Sequence, residues 1–212
     1  MKLLFTLYLL IASLGNCLAQ GLVNFYNTPS SLISVFSGGP FPIPGQVGSY
    51  EFALLTSPVG AFNFSFTGVY GTNTTTAGLF TGGAGIPVPG WAAGTARDFA
   101  VFGWDTADGG VVFNPSWINP NLSIGPGFPS RMAVGEAIGS GIAGGVTASG
   151  TVPTLNIFGA PAGIQSGFLM GVPVPEPSSI ALGGLGAVLL MLRLRHSDSK
   201  RPDRKKFPKL PV

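Results

Sequence analysis

Ala61-Phe62-Asn63-Phe64-Ser65-Phe66 sets three phenylalanines on alternate positions, with Asn63 and Ser65 between them. In an extended strand successive side chains point to opposite faces, so this stretch predicts a strand with one buried and one wet face and excludes a helix. Similar short apolar runs occupy residues 22–26, 32–36, 50–55, 98–104, 110–113, 132–138, 141–148, 154–158 and 164–169. Breakers stand between them: Gly38-Gly39-Pro40, Pro42-Ile43-Pro44-Gly45, Gly82-Gly83, Pro87-Val88-Pro89-Gly90 and Asn119-Pro120-Asn121. The 33 glycines and 19 prolines punctuate the chain, and 16 phenylalanines supply core volume. Many short strands between Gly/Pro turns predict an all-β domain, an antiparallel β-sandwich. The glycine-rich stretch from Gly139 to Gly150 has a second reading, as a mobile loop.

Charge divides the chain. The whole sequence carries 11 Lys and Arg against 8 Asp and Glu, a net +3. Residues 20–175 nevertheless hold only Arg97 and Arg131 as cations, against Glu51, Asp98, Asp105, Asp108 and Glu136; two against five is a net −3. The basic residues belong to the C-terminal tail. With 45% hydrophobic residues and only 9% charged ones, the chain is not an acidic disordered segment, and residues 20–175 suffice for one domain with its own core.

Residues 1–19 have one charge, Lys2, then an apolar region from Leu3 to Leu14, then Cys17 and Ala19 at small-residue positions before Gln20. This is the pattern of a secretory signal peptide cut ahead of Gln20. Its removal takes away Cys17, the only cysteine. The exported part is then expected to have no disulfide, no thiol nucleophile and no thiolate metal site.

At the other end, residues 172–177 read Val-Pro-Val-Pro-Glu-Pro, residues 178–192 are an apolar run, and Arg193 and Arg195 open a basic tail over residues 196–212. Proline fixes φ and restricts the residue before it, so Val172 to Pro177 is expected to be extended and unpaired. As a helix, residues 178–192 would reach about 22 Å, short of a hydrocarbon core of ~30 Å, with Arg193 and Arg195 snorkelling at one end. We read it as one transmembrane helix with a stop-transfer signal, the tail remaining cytoplasmic and everything before Ser178 outside. A basic tail that binds nucleic acid is the competing reading; the apolar run directly before it argues against that partner.

Pro175-Glu176-Pro177, the apolar segment beginning Ile180-Ala181-Leu182-Gly183, and Arg193-Leu194-Arg195 together resemble the PEP-CTERM sorting signal of Gram-negative bacteria. The mature end Gln20-Gly21-Leu22-Val23-Asn24-Phe25 and the stretch Arg97 to Asp105 resemble small members of that family, particularly from Verrucomicrobia. The resemblance implies that the tail is read and cleaved near Pro175, Glu176 and Pro177 by exosortase, an integral-membrane transpeptidase-like enzyme. It also implies transient anchoring in the inner membrane, then release or attachment at the cell surface, often among exopolysaccharide. Family members usually stop within a few residues of the arginines, whereas this chain continues from His196 to Val212.

Chemistry is sparse outside the tail. The only histidine is His196, so no Ser/His or Cys/His pair and no His/Cys zinc site is expected in the exported part. No cofactor is implied. Asp98, Asp105, Asp108 and Glu136 are the candidates for a paired-carboxylate glycosidase, but Asp105 and Asp108 read more simply as turn residues after a strand. Trp91 and Trp117 are candidates to stack on sugar rings, whereas Trp104, inside an apolar run, is assigned to the core. The sequence thus describes a signal peptide (1–19), an exported β domain (20–171), a sorting signal (172–195) and a basic tail (196–212), with no enzymatic activity expected.

Overall fold

The computed structural model describes residues 20–36, 40–160 and 163–172. The expected signal peptide, the Pro175-Glu176-Pro177 motif, the apolar run and the arginines Arg193 and Arg195 lie outside the described residues. Among the described residues no helix is long and apolar enough to cross a membrane.

The described chain is mostly β: β1 (Gln20–Tyr26), β2 (Ser34–Phe36), β3 (Pro40–Pro42), β4 (Tyr50–Ser57), β5 (Ser65–Asn73), β6 (Phe80–Ala92) and β7 (Ala96–Asp105). A one-turn helix α1 (Thr106–Gly109) and a 3-10 turn at Pro115–Trp117 follow. Then come β8 (Val134–Ile142), β9 (Gly145–Thr147), β10 (Gly150–Val152), β11 (Leu155–Asn156) and β12 (Leu169–Met170). Seven strands form one sheet in the order β11-β1-β6-β5-β4-β7-β8, beside a three-stranded sheet β12-β2-β3 and the hairpin β10-β9. The expected pair of facing sheets is replaced by a single coiled sheet that nearly closes on itself. Just past β8, Gly144 and Leu22 of β1 exchange both backbone hydrogen bonds, at 2.9 and 3.0 Å. Pairing is antiparallel except where β11 joins β1 and β12 joins β2, both parallel.

Alternation along the central strands loads both faces of this sheet. From β4, Phe52 and Leu54 enter one core while Ala53 and Leu55 enter another; from β7, Phe99 and Val101 go one way and Ala100, Phe102 and Trp104 the other. The first core also takes Val23 and Phe25 from β1, at the far side of the strand order, so it fills the concavity. There Phe80 stacks on Phe52 with centroids 4.2 Å apart and meets Phe25 and Phe158 edge-on. The second core lies on the convex side, where the segment after β7 brings Phe113, Trp117, Ile118, Leu122 and Met132 over the sheet. Fully burying each such side chain stabilises the fold by about 1.5–3 kcal/mol.

The edge strand β8 has no bulk on its inner face. A Cβ on Gly139 would sit 2.8 Å from the Phe99 ring, and one on Gly141 2.7 Å from Leu155. These glycines let the chain from Pro153 onward press its apolar side chains directly against the strand. The stretch Gly139 to Gly150, open to a loop reading, is therefore ordered: it comprises the end of β8, β9 and the start of β10.

The run Ala61 to Phe66 is not a strand along its length. The strand begins only at Ser65, and Phe62 sits in a turn with φ +46°. Side chains take the backbone donors that a ladder would use. The Asp98 carboxylate accepts from the Gly60 N–H at 2.7 Å, the Ser57 hydroxyl accepts from the Asn63 N–H at 2.9 Å, and the Pro120 carbonyl accepts from the Phe64 N–H at 2.7 Å. Residues 110–113, expected as a strand, follow α1 without forming one.

Candidate functional site

Neither tryptophan proposed to stack on sugar has a free face. Trp91 is fully buried in the concave core, tilted against Phe99 at 6.0 Å, and its indole N–H donates to the Thr95 carbonyl at 2.8 Å. Trp117 is 5% exposed in the convex core, edge-on to Phe113 and Trp104. Burial corrects both assignments: each ring completes a core, leaving no surface on which a pyranose could lie. Trp104 is buried, as its position inside a strand implied.

Asp98 and Asp105 do not converge. Asp98 and Asp105 stand at opposite ends of β7, about 23 Å apart along an extended strand, well beyond the 5–9.5 Å of paired glycosidase carboxylates. Asp98 holds the β4–β5 turn through Gly60. Asp105 caps α1, accepting from the Asp108 N–H at 2.9 Å, and also accepts from the Ala133 N–H. That agrees with a turn role for Asp105 and Asp108. Among the described residues no group of three or more His, Cys, Asp or Glu side chains could hold a metal ion. No buried side-chain nitrogen or oxygen among them lacks a hydrogen-bond partner, so none stands ready for a ligand.

Burial raises the carboxyls of Glu136 on β8 and Glu51 on β4; for Glu51 a hydrogen bond from Thr72 opposes the shift. Glu136 is exposed as a residue, but its neighbour across the ladder is Phe102, so its carboxyl loses water on that side. Because each folded value lies above the unfolded value of about 4.3, the charged forms oppose folding. The penalty is absent below about pH 4.3, grows as pH rises through the folded values, and is constant above them. Replacing both by Gln is expected to raise the unfolding free energy at pH 7 by less than ~1 kcal/mol, given solvent screening, and to leave it unchanged at pH 3.5. Urea titrations at the two pH values measure this.

Among the described residues, a groove of about 410 Å³ opens on the convex side, lined by Leu55, Phe64, Ser65, Phe66, Phe113, Pro115, Ile118, Asn119 and Pro120. Phe62 stands beside Phe64, 59% exposed, with ring centroids 6.4 Å apart, and Val59 in the same turn is 62% exposed. Ser65 and Asn119 are the only polar side chains in the lining, so the groove can hold an apolar or aromatic group but has no acid, base or nucleophile pair. Sequence reasoning placed all three phenylalanines of this stretch on one buried face. The turn-forming Pro58 and Gly60 immediately before them were the signal that the first would be turned outward. A second groove, about 270 Å³, lies between the end of β8 and β11 and is lined by Gly141, Ile142, Pro153, Thr154, Leu155, Asn156 and Ala160.

No family model matches the chain, and neither a curated protein nor a solved structure is significantly similar to it.

Proposed function

We propose that the chain is a non-enzymatic exported protein of the cell surface or extracellular matrix, sorted through its C-terminal signal by an exosortase. One observation carries this reading: Pro175-Glu176-Pro177, a 15-residue apolar run (178–192) and Arg193-Leu194-Arg195 follow in that order near the C-terminus, with a signal-peptide pattern over residues 1–19. The all-β domain between them suits such a role. Its aromatic residues fill two cores, and Asp98 and Asp105 hold turns. In this reading the apolar run is a transmembrane helix that holds the protein in the inner membrane until cleavage. The second reading, a permanently anchored single-pass surface protein with Pro175 to Pro177 as a stiff linker, is favoured by the continuation from His196 to Val212.

Intact-mass measurement on protein from envelope and culture medium, with terminal peptides sequenced, separates the two. Sorting predicts a C-terminus between Pro175 and Ser178 and loss of the basic tail. Chains that all end at Val212 in the membrane would overturn it and leave the anchored reading.

A further inference from the structure

The small sheet β12-β2-β3 ends where the described chain leaves the domain. β12 runs parallel to β2, with Leu169 opposite Ser34 and Met170 opposite Val35, so Gly171 comes level with Phe36. A Cβ on Gly171 would lie 3.9 Å from the Phe36 Cβ. Gly171 is pinned there, because it exchanges both backbone hydrogen bonds with Val134 of β8, at 3.0 and 2.8 Å. Phe36 is also the last residue of β2 and pairs with Pro40, the first of β3. The passage from β2 to β3 and the exit of the chain at Val172 thus share one end of the sheet.

Bare apolar side chains collect at this end. Phe36 is 60% exposed and Phe41 57%, and Leu169 and Val172 are half-exposed. They do not form one flat patch. Val35 and Met170 turn into the concave core, so Phe36 stands on the opposite face of the sheet, whereas Phe41, paired with Val35, stands on the core side. The outer edge of β3 is closed to a further strand. The Ile43 N–H donates inward to the Ile33 carbonyl, so alternation turns the backbone nitrogens of residues 40 and 42 outward, and both residues are prolines. No charged side chain occurs in residues 27–49 or 137–172.

We propose that this end of the domain is a second membrane contact, with Phe36, Phe41 and Val172 entering the headgroup layer of a phospholipid bilayer. The proposal rests on the reading of residues 178–192 as a transmembrane helix, which the sorted and the anchored forms share. Six residue steps separate Val172 from Ser178, at most ~20 Å of extended chain. A bilayer that holds residues 178–192 is therefore within reach of the sheet end from which the chain departs. Shape selects lipid over a protein surface. Rings on both faces of one sheet end are covered together only by a medium that closes around them, and Pro40 and Pro42 refuse an added strand. Charge agrees, since anionic headgroups meet no carboxylate on β2, β3 or β12. Removing the exposed apolar surface from water drives the side chains to the headgroup/acyl boundary, ~5–10 Å deep.

The test places one environment-sensitive fluorophore on the full chain, in a Cys17→Ser background, reconstituted in vesicles of phosphatidylethanolamine and phosphatidylglycerol. Four variants carry it: Phe36→Cys, Phe41→Cys, Val188→Cys within the apolar run, and Val146→Cys, 68% exposed on β9 beyond the opposite end of β8. Phe36 and Phe41 are exposed, so their replacement leaves both cores intact. We expect a blue shift and a loss of intensity to headgroup-level nitroxide lipids at positions 36 and 41, and neither at position 146. If probes at 36 and 41 respond only to aqueous iodide while the one at 188 is quenched by nitroxides deep in the acyl chains, the proposal fails and the transmembrane reading stands. Probes at 36 and 41 that are shielded from iodide yet untouched by lipid nitroxides would overturn it in favour of a protein cover, a second copy or the apolar run itself. A probe at 188 that no lipid nitroxide reaches would overturn the transmembrane reading and the proposal with it.

Discussion

Trp104→Ala is expected to remove about 4 kcal/mol of folding stability, the range measured for truncating a large buried aromatic. The ring is fully buried, and its indole N–H donates to the Gly110 carbonyl at 2.8 Å. Four aromatic neighbours surround it: Tyr70 at 6.4 Å, Phe102 at 6.3 Å, Phe113 at 5.9 Å and Trp117 at 5.6 Å. Two of these, Phe113 and Trp117, belong to the segment that lies over the convex face. Truncation therefore leaves a cavity and also loosens the hold on that segment. Against a total of roughly 5–15 kcal/mol for a natural domain, the loss leaves a marginal fold. Urea unfolding followed by circular dichroism should show it, with Val112→Ala, at a position 67% exposed, staying within about 0.5 kcal/mol of wild type. A loss below ~1 kcal/mol at Trp104 would mean that the convex core does not stabilise the domain.

The second large effect is expected at Asn73, where an isosteric change inverts the polarity of a buried group. Asn73 is fully buried. Its amide nitrogen donates to the carbonyls of Pro44, at 3.0 Å, and Gln46, at 2.6 Å, and its oxygen accepts from the Tyr50 N–H at 3.0 Å. One side chain thus fastens the connection before β4 to the end of β5. Asn73→Asp turns a carboxylate toward two carbonyl oxygens, and the expected loss at pH 7 is about 3–5 kcal/mol, comparable to stranding a buried charge. The pH dependence identifies the cause. Burial and the facing carbonyls raise the introduced carboxyl above its unfolded value of about 3.9, and its protonated form can donate to one carbonyl. The deficit should be smallest below about pH 4, grow as pH rises through the folded value, and then level off. Thermal melts at pH 3.5 and pH 7 check the sign; an equal deficit at both would point to a steric cause.

How far these features were legible depends on which forces act locally. The apolar runs at residues 22–26, 50–55 and 98–104 predict strands and are the cores of β1, β4 and β7. There the side chains that favour an extended backbone are the ones that the two cores bury. The longest strand, β6, contains two stretches that the sequence marks as breakers, Gly82-Gly83 and Pro87-Val88-Pro89-Gly90. Tertiary context reverses that reading. β6 pairs with β5 only at Thr81 and Phe80, so much of one edge needs no donor and tolerates prolines, and three register shifts against β1 absorb the irregularity. Gly82 is there for space: a Cβ would lie 2.4 Å from the Tyr70 carbonyl oxygen and 2.5 Å from the Phe25 ring. The failure of Ala61 to Phe66 as a full strand has the same origin. Its alternation is real, but the groups that capture its backbone donors, Asp98 and Pro120, are distant in sequence. The stacking roles of Trp91 and Trp117 rested on residue type alone, and residue type does not say which side of a sheet is covered.

The closure of the coiled sheet has a consequence for the order of events in synthesis. Asn24 donates to Asn156 at 2.7 Å across 132 residues of sequence, and Phe168 and Met170 complete the same core that Val23 and Phe25 begin. The first strand of the described chain pairs with β6 on one edge, but its other edge and the core beneath it thus wait for nearly the last segment of the domain. Contacts of such long sequence separation place folding on a timescale of roughly milliseconds to seconds. For a chain that must thread a translocon unfolded, as the export reading requires, that delay keeps it threadable until the whole domain has crossed.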